Sequence, residues 1–385
     1  MSAKTLHILT DTIQTNWYID KCLKYAPDVE QVFIAFAKQL HHLKTPSVQC
    51  CAPEDEVFEQ WAERIHQGEF DRVVINYFDM TAARLIHRVR TKNVPIIWVV
   101  WGADLYTLPF FWDKLFDPAA AKIVGISAYA AWRKRFRLWY RRVRFGNLDH
   151  RFMYRAMKKV THCATLIDAD VALVRKKLQP RVEQIRFSFS GIEDFRQALQ
   201  HDVKKENSIL IGNSADPANN HIEVLRTLNS IGANQDIYIP FSYGHHKIYK
   251  QEAPALFHEI YPSHKIHLQE NNLPKEEYYR MLQRMSFAIM GHIRQQAFAN
   301  IIALLYFGAK VFLRKRNPLL HTFQQWGLQL FCVEGDLNSG ALNHPLSQDL
   351  QEKNRAIIDQ LLSEQHMESY YRDLVGSKMK DPATS

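Results

Sequence analysis

Short apolar segments alternate with segments of helical periodicity along most of the chain, and this alternation restricts the possible folds more than any other feature. The clearest apolar segment is PIIWVVW at residues 95–101, which carries no charged side chain on either face. Strands that are apolar on both faces are typical of the interior of a parallel sheet. Their alternation with helices predicts an α/β fold built on parallel sheets.

The alternation runs through both halves of the chain. In the first half, strands are predicted at residues 6–9, 31–37, 72–77, 95–101, 160–166 and 186–190. In the second half, they are predicted at residues 208–211, 236–241, 266–268, 287–291, 310–313 and 331–333. A length of 385 residues suits two domains better than one.

The predicted domain boundaries follow from this division. Residues 1–190 form an N-terminal Rossmann-like domain, residues 191–206 a polar linker and residues 207–347 a C-terminal domain, with a helix and tail at 348–385. Parallel sheets of this kind bind ligands outside the carboxyl ends of their strands. We therefore predict two Rossmann-like domains facing each other across a cleft.

Composition indicates the class of protein and the compartment in which it is expected. The apolar fraction of 46% and the charged fraction of 23% are those of a globular protein. No run of about 20 uncharged apolar residues occurs, so no transmembrane helix is predicted. The N-terminus has no signal-peptide profile, and the five cysteines show neither metal-ligand spacing nor a disulfide framework. We expect a reduced, cytoplasmic protein.

The net charge of +9 is unevenly distributed, because residues 132–159 carry eleven lysine and arginine residues against a single acid. Three interpretations remain open: a solvated basic helix, a nucleic-acid patch, and a segment on an anionic membrane surface. Interleaved aromatic side chains favour the membrane because exposed aromatics need a partner. The residues assigned to membrane or acceptor contact are Arg133, Arg135, Trp139, Arg141 and Arg142.

A candidate anion site opens the second half of the chain. The predicted strand at 208–211 stops at Gly212, Asn213 and Ser214, and a helix follows. Such a junction exposes backbone N–H groups beside small side chains, which suits a phosphate. Asn219 and His221 lie in the same junction. Many strand–loop–helix junctions bind nothing, so this motif alone is a weak indication.

Asp104 is the candidate catalytic base. It lies in WGADLY at residues 101–106, directly after the most apolar predicted strand. A carboxylate at this edge can take a proton from an acceptor hydroxyl or hydrogen-bond a sugar. The structural alternative is a helix cap or a partner for an arginine.

Tyr243 and Glu270 follow two further predicted strands. Tyr243 can stack on a base or sugar, or it caps the core as a turn aromatic. Glu270 is placed to hold a ribose or deoxyribose hydroxyl, with a surface charge beside a helix as the alternative.

Arg294 precedes a predicted helix at 297–307 and can donate hydrogen bonds to a diphosphate. The helix N-terminus adds backbone N–H groups and a favourable dipole. Gln295 and Gln296 can bind sugar hydroxyls or an acetamido group. The alternative for Arg294 is an ion pair with a neighbouring acid. No Asp-x-Asp motif ends a strand, so we expect no metal cofactor, with Arg294 and helix termini neutralising the leaving diphosphate.

These motifs together resemble a known family, the TDP-N-acetylfucosamine:lipid II N-acetylfucosaminyltransferases. The resemblance runs from about residue 70 to 335. It rests on WGADLY at 101–106, on GNS at 212–214 with Asp216, Asn219, His221 and Ile222, on Pro240 with Tyr243, on Gln269-Glu270, and on Arg294-Gln295-Gln296. Ala297 stands where that family carries glycine.

The resemblance implies a GT-B fold and a glycosyltransferase activity in the synthesis of enterobacterial common antigen. The implied donor is a TDP-linked deoxyamino sugar. The implied acceptor is an undecaprenyl-diphosphate-linked saccharide at the inner face of the cytoplasmic membrane, against which the basic segment would hold the enzyme. The alternative from another class is a nucleic-acid-binding protein that uses residues 132–159.

Overall fold

The computed structural model of the chain describes residues 3–108, 115–125, 149–199, 203–244 and 246–376. These residues group into two compact units. The first lies within Met1–Leu105, Arg141–Gly191 and Leu362–Ser385, and the second within Tyr106–Tyr140 and Ile192–Leu361. Each unit is built on its own sheet.

The strands of the first unit form a parallel sheet. They are β1 (Lys4–Leu9), β2 (Glu30–Phe36), β3 (Val48–Cys51), β4 (Arg72–Ile75), β5 (Ile96–Val99), β6 (His162–Ala164) and β7 (Glu183–Ile185). Their order is β3-β2-β1-β4-β5-β6-β7. The order reverses direction between β1 and β4, so this sheet has a topological switch point there.

The strands of the second unit repeat this plan. They are β8 (Glu206–Ile211), β9 (Asp236–Pro240), β10 (Ile266–Gln269), β11 (Met285–Met290), β12 (Lys310–Leu313) and β13 (Phe331–Cys332). The order is β10-β9-β8-β11-β12-β13, again with parallel pairs. The switch point lies between β8 and β11. Two parallel sheets of this order confirm the predicted α/β fold with two Rossmann-like units.

Helices connect the strands. Up to residue 191 they are α1 (Ile13–Tyr25), α2 (Asp55–His66), α3 (Met80–Arg88), α4 (Ala103–Tyr106), α5 (Pro118–Ile123), α6 (Asp149–Met157) and α7 (Asp168–Lys177). Beyond it they are α8 (Glu193–Arg196), α9 (His221–Ser230), α10 (Lys247–Ile260), α11 (Lys275–Arg284), α12 (Phe298–Tyr306), α13 (Pro318–Gln325), α14 (Val333–Asp336), α15 (Gln348–Leu361) and α16 (Glu364–Val375).

The interior strands are the ones that the apolar pattern predicted best. Every residue of β5 and of β11 is buried. These strands have neighbours on both sides in their sheets, so their side chains pack against both layers of helices. Among the helices of the described ranges, none is long and apolar enough to cross a membrane.

The structure divides the chain differently from the predicted boundaries at three places. The C-terminal helix α16 belongs to the first unit, where the Thr5 hydroxyl donates to the Val375 carbonyl at 3.0 Å and Arg72 Nη1 donates to the Asp373 carbonyl at 2.9 Å. Helix α5, predicted in the N-terminal domain, packs in the second unit, where Ala120 joins the apolar core. The predicted linker contains helix α8, whose Phe195 is fully buried.

Candidate functional site

The most polar buried region of the second unit lies at the carboxyl ends of β8 and β11, where the sheet has its switch point. Gly212 follows β8 with a φ of 67°, a conformation that favours glycine. Gly291 follows β11, and a Cβ built there would lie 2.2 Å from the Asn219 carbonyl oxygen. The two glycines let the turn at Pro217–Asn219 approach the strand ends closely.

Asn219 organises this turn. Its Oδ1 accepts hydrogen bonds from the Asn213 backbone N–H at 3.0 Å and from His292 Nε2 at 2.7 Å. Its Nδ2 donates to the carbonyl oxygens of Ser214 at 3.0 Å and Asp216 at 2.9 Å. Asn219 is fully buried. The Asn219 side chain therefore fixes the conformation of the Gly212–Ser214 loop. The backbone of that loop is then the part that can contact a donor.

A second amide, Asn213, links the same loop to the region after β11. Its Oδ1 accepts from Gln296 Nε2 at 3.0 Å and from His292 Nε2 at 3.3 Å. Its Nδ2 donates to the Tyr243 hydroxyl at 2.9 Å. Tyr243 is more than half exposed, so its ring offers a face that is anchored at the hydroxyl end. The network joins residues from three different strand ends.

His292 is the buried hub of the network. Because Asn219 Oδ1 also accepts a backbone N–H, His292 must donate to it, which places a proton on Nε2. Burial, followed by the nearby charge of Arg294, holds the pKa of His292 well below its ordinary value. The ring is therefore neutral and acts as a fixed donor between the two asparagines.

His221, predicted as a donor-binding residue, is also buried. Its Nδ1 lies 3.0 Å from the Tyr249 hydroxyl, and burial lowers the pKa of His221 to about 3. A Cβ on Gly212 would lie 2.8 Å from His221 Nε2. The ring therefore lies against the glycine turn, and its predicted contact with the donor stays a prediction.

Arg294 lies between this network and helix α12. It is 8% exposed, and its Nη1 donates to the Gln295 carbonyl at 3.3 Å. Helix α12 begins after Ala297, which has a φ of 59° and a ψ of 30°, and no side chain caps the helix N-terminus. A guanidinium beside uncapped backbone N–H groups is an arrangement that binds phosphate oxygens.

The adjacent pocket is lined by uncharged side chains. It lies at the carboxyl ends of β8, β9 and β10 and is lined by Asn213, Pro240, Ser242, Tyr243, Gln269, Asn271, Asn272, Leu273, Tyr278 and Asn300. Amides and tyrosines can hydrogen-bond and stack on a neutral ring such as a nucleobase. Glu270, predicted to hold a sugar hydroxyl, is exposed and follows β10 beside this pocket.

Asp104 of the first unit lies in a different environment. It is 3% exposed and its oxygens accept from Trp98 Nε1 at 2.6 Å, from the Trp101 and Leu105 N–H groups at 3.1 Å and from the Phe78 N–H at 3.2 Å. Burial raises the pKa of Asp104 to about 6, while hydrogen bonds to the carboxylate, first of all that from Trp98, oppose that rise. The carboxylate fixes the turn after β5, and its role as the catalytic base stays a prediction.

Comparisons with known proteins place this chain in a family. A sequence profile described as 4-alpha-L-fucosyltransferase, glycosyl transferase group 56, matches residues 123–372, which is more than half of the chain. The chain belongs to this family. The resemblance inferred from WGADLY, GNS and the Arg-Gln-Gln segment is thereby confirmed at the level of the family.

Solved structures share the fold at low sequence identity. Sucrose-phosphate synthase from Thermosynechococcus elongatus matches with a TM-score of 0.64 and 10% identity over 97% of this chain and 99% of that chain. A glycosyltransferase from Rickettsia africae ESF-5 matches with a TM-score of 0.59 and 11% identity over 98% and 100%. An α,α-trehalose 6-phosphate synthase from Burkholderia multivorans gives 0.58 and 10% over 97% and 95%.

These likenesses confirm the GT-B fold predicted from the resemblance. The family and these structures together support the predicted activity. The protein is a nucleotide-sugar-dependent glycosyltransferase. Its substrates are a nucleotide-sugar donor and an acceptor.

The structure brings most of the predicted donor-site residues of this glycosyltransferase together. Gly212, Asn213, Tyr243 and Gln296 share one hydrogen-bonded region, with Arg294 and Gln295 adjacent in sequence. The roles of all these residues in binding stay predictions. Arg133, Arg135, Trp139, Arg141 and Arg142 lie outside the described residues.

Sequence reasoning missed His292 and Asn220. Asn220 has a φ of 53°, and its Nδ2 donates to the Gly291 carbonyl at 2.9 Å while its Oδ1 accepts from the Asp117 N–H at 2.8 Å. A Gly-His pair directly after a buried strand was the available signal for His292. The role of Asn220 was missed because most of its side-chain partners, Leu115, Asp117 and Gly291, are distant in sequence. Among the described residues, no group of three or more His, Cys, Asp or Glu side chains could hold a metal ion.

Proposed function

We propose that this glycosyltransferase moves a deoxyamino sugar, N-acetylfucosamine or a close relative, from a TDP-type donor to a lipid-linked glycan. The family supports the sugar class, because its description names an L-fucosyl transfer. The resemblance of the sequence motifs supports the thymidine donor and the undecaprenyl-diphosphate-linked acceptor of cell-surface polysaccharide synthesis.

The observation that carries the proposal is the arrangement around Arg294. Arg294 is largely buried and precedes the uncapped N-terminus of α12 by a few residues, and Asn300 in the first turn of α12 lines a pocket of neutral amides and tyrosines. In our proposal the diphosphate binds at Arg294 and the helix N-terminus, and the nucleoside enters the neutral pocket. Gln295 and Gln296 then bind the sugar, since the Oε1 atoms of both are buried without a hydrogen-bond partner in the described part of the chain.

This arrangement suits the chemistry of glycosyl transfer. As the bond between the sugar and the diphosphate breaks, negative charge develops on the leaving nucleoside diphosphate. Donors held in place before the reaction stabilise such charge most effectively. We propose that Arg294 and the α12 N–H groups supply this stabilisation without a metal cofactor.

The acceptor side belongs to the first unit in our proposal. The resemblance supports a lipid-linked saccharide acceptor and a peripheral position at the inner face of the cytoplasmic membrane. The basic segment 132–159, with its interleaved aromatics, supports contact with anionic lipid. Charge reversal at Arg141 and Arg142 tests that segment, and unchanged binding to anionic vesicles would contradict its role.

A binding experiment tests the donor site. The dissociation constants of TDP, UDP, GDP and a short oligonucleotide are measured by calorimetry for the native protein and for Arg294→Ala. We expect TDP to bind most tightly and Arg294→Ala to weaken it about a hundredfold, because a buried charged donor is lost. The matched control is Arg196→Ala, which removes an exposed arginine of the same unit that pairs with Asp359 at 2.8 Å.

Two outcomes would contradict the proposal. Unchanged TDP affinity in Arg294→Ala would exclude this arginine from the donor site. Oligonucleotide binding tighter than TDP binding would favour the nucleic-acid alternative. Release of nucleoside diphosphate from a panel of nucleotide-sugars then identifies the donor.

A further inference from the structure

Helix α1 of the first unit has one buried face and one exposed apolar face. Its buried residues are Thr15, Tyr18, Ile19, Cys22 and Tyr25. On the opposite side, Ile13 is 56% exposed and Trp17 is 53% exposed. The two are four positions apart, so their side chains lie one above the other on the helix. Large apolar side chains that are exposed as neighbours indicate an interaction surface.

A polar loop is fixed beside this face. The Asp11 carboxylate accepts the backbone N–H groups of His41 at 2.7 Å, His42 at 2.9 Å and Leu43 at 2.8 Å. Asn16 of α1 donates to the His42 carbonyl at 2.9 Å and accepts the Lys44 N–H at 3.0 Å. Five hydrogen bonds therefore hold residues 41–44 against the first turns of the helix.

The loop gives the surface a basic rim. Lys38, His41, His42 and Lys44 are all exposed. Of the acids near this face, Asp11 has its carboxylate occupied by the three backbone donors, and the exposed Asp20 lies one turn beyond Trp17 on the same side of α1. The surface thus combines an aliphatic and an indole side chain with Lys44 on the pinned loop and Lys38 just before it. We call Ile13, Trp17, Lys38 and Lys44 the α1 surface.

We propose that the α1 surface docks the first unit onto the anionic face of a lipid bilayer. Tryptophan is enriched at membrane–water interfaces, and lysines near the surface are attracted to anionic headgroups. Two apolar side chains are too few for a stable protein–protein interface, which buries about 800 Å² on each partner. A bilayer needs no such area, because apolar insertion and charge attraction add together.

The position of the surface suits the proposed acceptor. Helix α1 starts four residues after β1 ends, so Ile13 and Trp17 lie toward the carboxyl edge of the first sheet. Ligands of parallel sheets bind at that edge. The α1 surface therefore brings the acceptor-binding edge of the first unit to the bilayer in which a lipid-linked acceptor is embedded. In this respect the inference rests on the proposed function.

Vesicle flotation of the full chain tests the inference. Vesicles of phosphatidylethanolamine with phosphatidylglycerol are compared with vesicles of phosphatidylcholine alone, for the native protein and for Ile13→Ala/Trp17→Ala. We expect the double variant to lower binding to the anionic vesicles about tenfold. The matched control is Ile248→Ala in α10 of the second unit, because Ile248 is 54% exposed. This control should bind vesicles as the native protein does.

Trp17 fluorescence provides a direct readout of contact. Lipids brominated on the acyl chain should quench the native protein more strongly than Trp17→Phe, and the difference spectrum belongs to Trp17. Equal quenching of the two, or equal flotation of the native protein and the double variant, would overturn the proposal. A concentration-dependent dimer that Ile13→Ala/Trp17→Ala abolishes, without any effect on flotation, would overturn it in favour of a second copy of the chain.

The result is independent of the donor site. Vesicle binding through Trp17 with no TDP affinity would leave the α1 surface standing and remove the proposed function. TDP affinity with no Trp17 quenching would do the reverse.

Discussion

The two sheets have the same strand order around their switch points but end their central strands differently. In the first unit, β1 and β4 are followed by Thr10 and Asn76. In the second unit, β8 and β11 are followed by Gly212 and Gly291. The two sheets thus share a topology, but the residues after their central strands have side chains in the first unit and are glycines in the second.

The difference in side chains changes what can approach the strand ends. At the second switch point, the absence of side chains admits the turn at Pro217–Asn219 and leaves room for amide hydrogen bonds. At the first, Asn76 is fully buried, and within the described ranges neither polar atom of its side chain has a hydrogen-bond partner. Among the described residues, the second edge is thus bridged by an amide network that leaves the Gln295 and Gln296 Oε1 atoms without a partner, whereas no hydrogen bond reaches the Asn76 side chain at the first edge.

The largest effect on stability is expected from adding a side chain at the second switch point. Gly291→Ala places a methyl group 2.2 Å from the Asn219 carbonyl and 2.9 Å from Val224. We expect a loss of about 4 kcal/mol in the free energy of unfolding, because backbone must move to relieve the overlap. Chemical denaturation measures it. Gly335→Ala is the control, since its nearest neighbour would lie at 3.9 Å; equal losses in both variants would refute the close approach.

A smaller but still large effect is expected at the buried carboxylate of the first unit. Asp104→Asn turns one oxygen into an amide that faces N–H donors, so the free energy of unfolding should fall by about 2 kcal/mol. The affinity for TDP, measured by calorimetry, should not change. A variant that folds with native stability but transfers no sugar would support the prediction that Asp104 is the catalytic base.

The pH dependence of stability tests the same group. Burial raises the pKa of Asp104 from 3.8 to about 6, so the folded state binds this proton more tightly than the unfolded chain. The stabilisation is complete below pH 3.8 and is lost as pH rises through about 6. The stability gap between native protein and Asp104→Asn should therefore widen by about 2 kcal/mol from pH 7 to pH 4. A constant gap would contradict the raised pKa.

Substitution of His292, the hub of the network at the second switch point, is expected to have a moderate effect on TDP binding. His292→Leu removes the donor shared by Asn213 and Asn219, and we expect TDP affinity to fall about tenfold. His292→Gln can place an amide N–H near the position of Nε2, so it should recover most of that loss. A purely structural role would instead lower the melting temperature of both variants and leave the dissociation constant of the folded protein unchanged.

The smallest effect concerns the start of α12. Ala297 has a φ of 59°, in the left-handed region where a Cβ is disfavoured. Ala297→Gly should raise the free energy of unfolding by a few tenths of a kcal/mol, up to about 1 kcal/mol. Destabilisation in thermal melts would show that the Ala297 methyl group contributes packing that outweighs the strain.

The sequence predicted the interior strands of both sheets and the two edge strands of the second sheet, β10 and β13, but not the edges of the first sheet, for a physical reason. β5 and β11 are apolar because both faces are covered. β3 escaped prediction because Gln49 and Cys50 are exposed on this edge strand. β7 was predicted at 186–190 but lies at Glu183–Ile185, where polar residues obscure the pattern.

The site was predictable where its chemistry is local. Gly212 and Arg294 stand in recognisable strand–loop–helix junctions. The burial of Asn219 and His221, and the assignment of α5 to the second unit, depend on contacts between distant segments. Asp117 pairs with Arg314 at 3.0 Å across 197 positions of sequence, a relation that no local pattern contains.

The docking of helix α16 on β1 and β4 has a consequence for biosynthesis. The ribosome synthesises Thr5 and Arg72 early. Their hydrogen-bond partners, Val375 and Asp373, are synthesised more than three hundred residues later. While the second unit is being synthesised, the surface of β1 and β4 that α16 later covers remains exposed. The first unit therefore reaches its final packing only after α16 has been synthesised, and a nascent chain halted before residue 364 would be a substrate for chaperones.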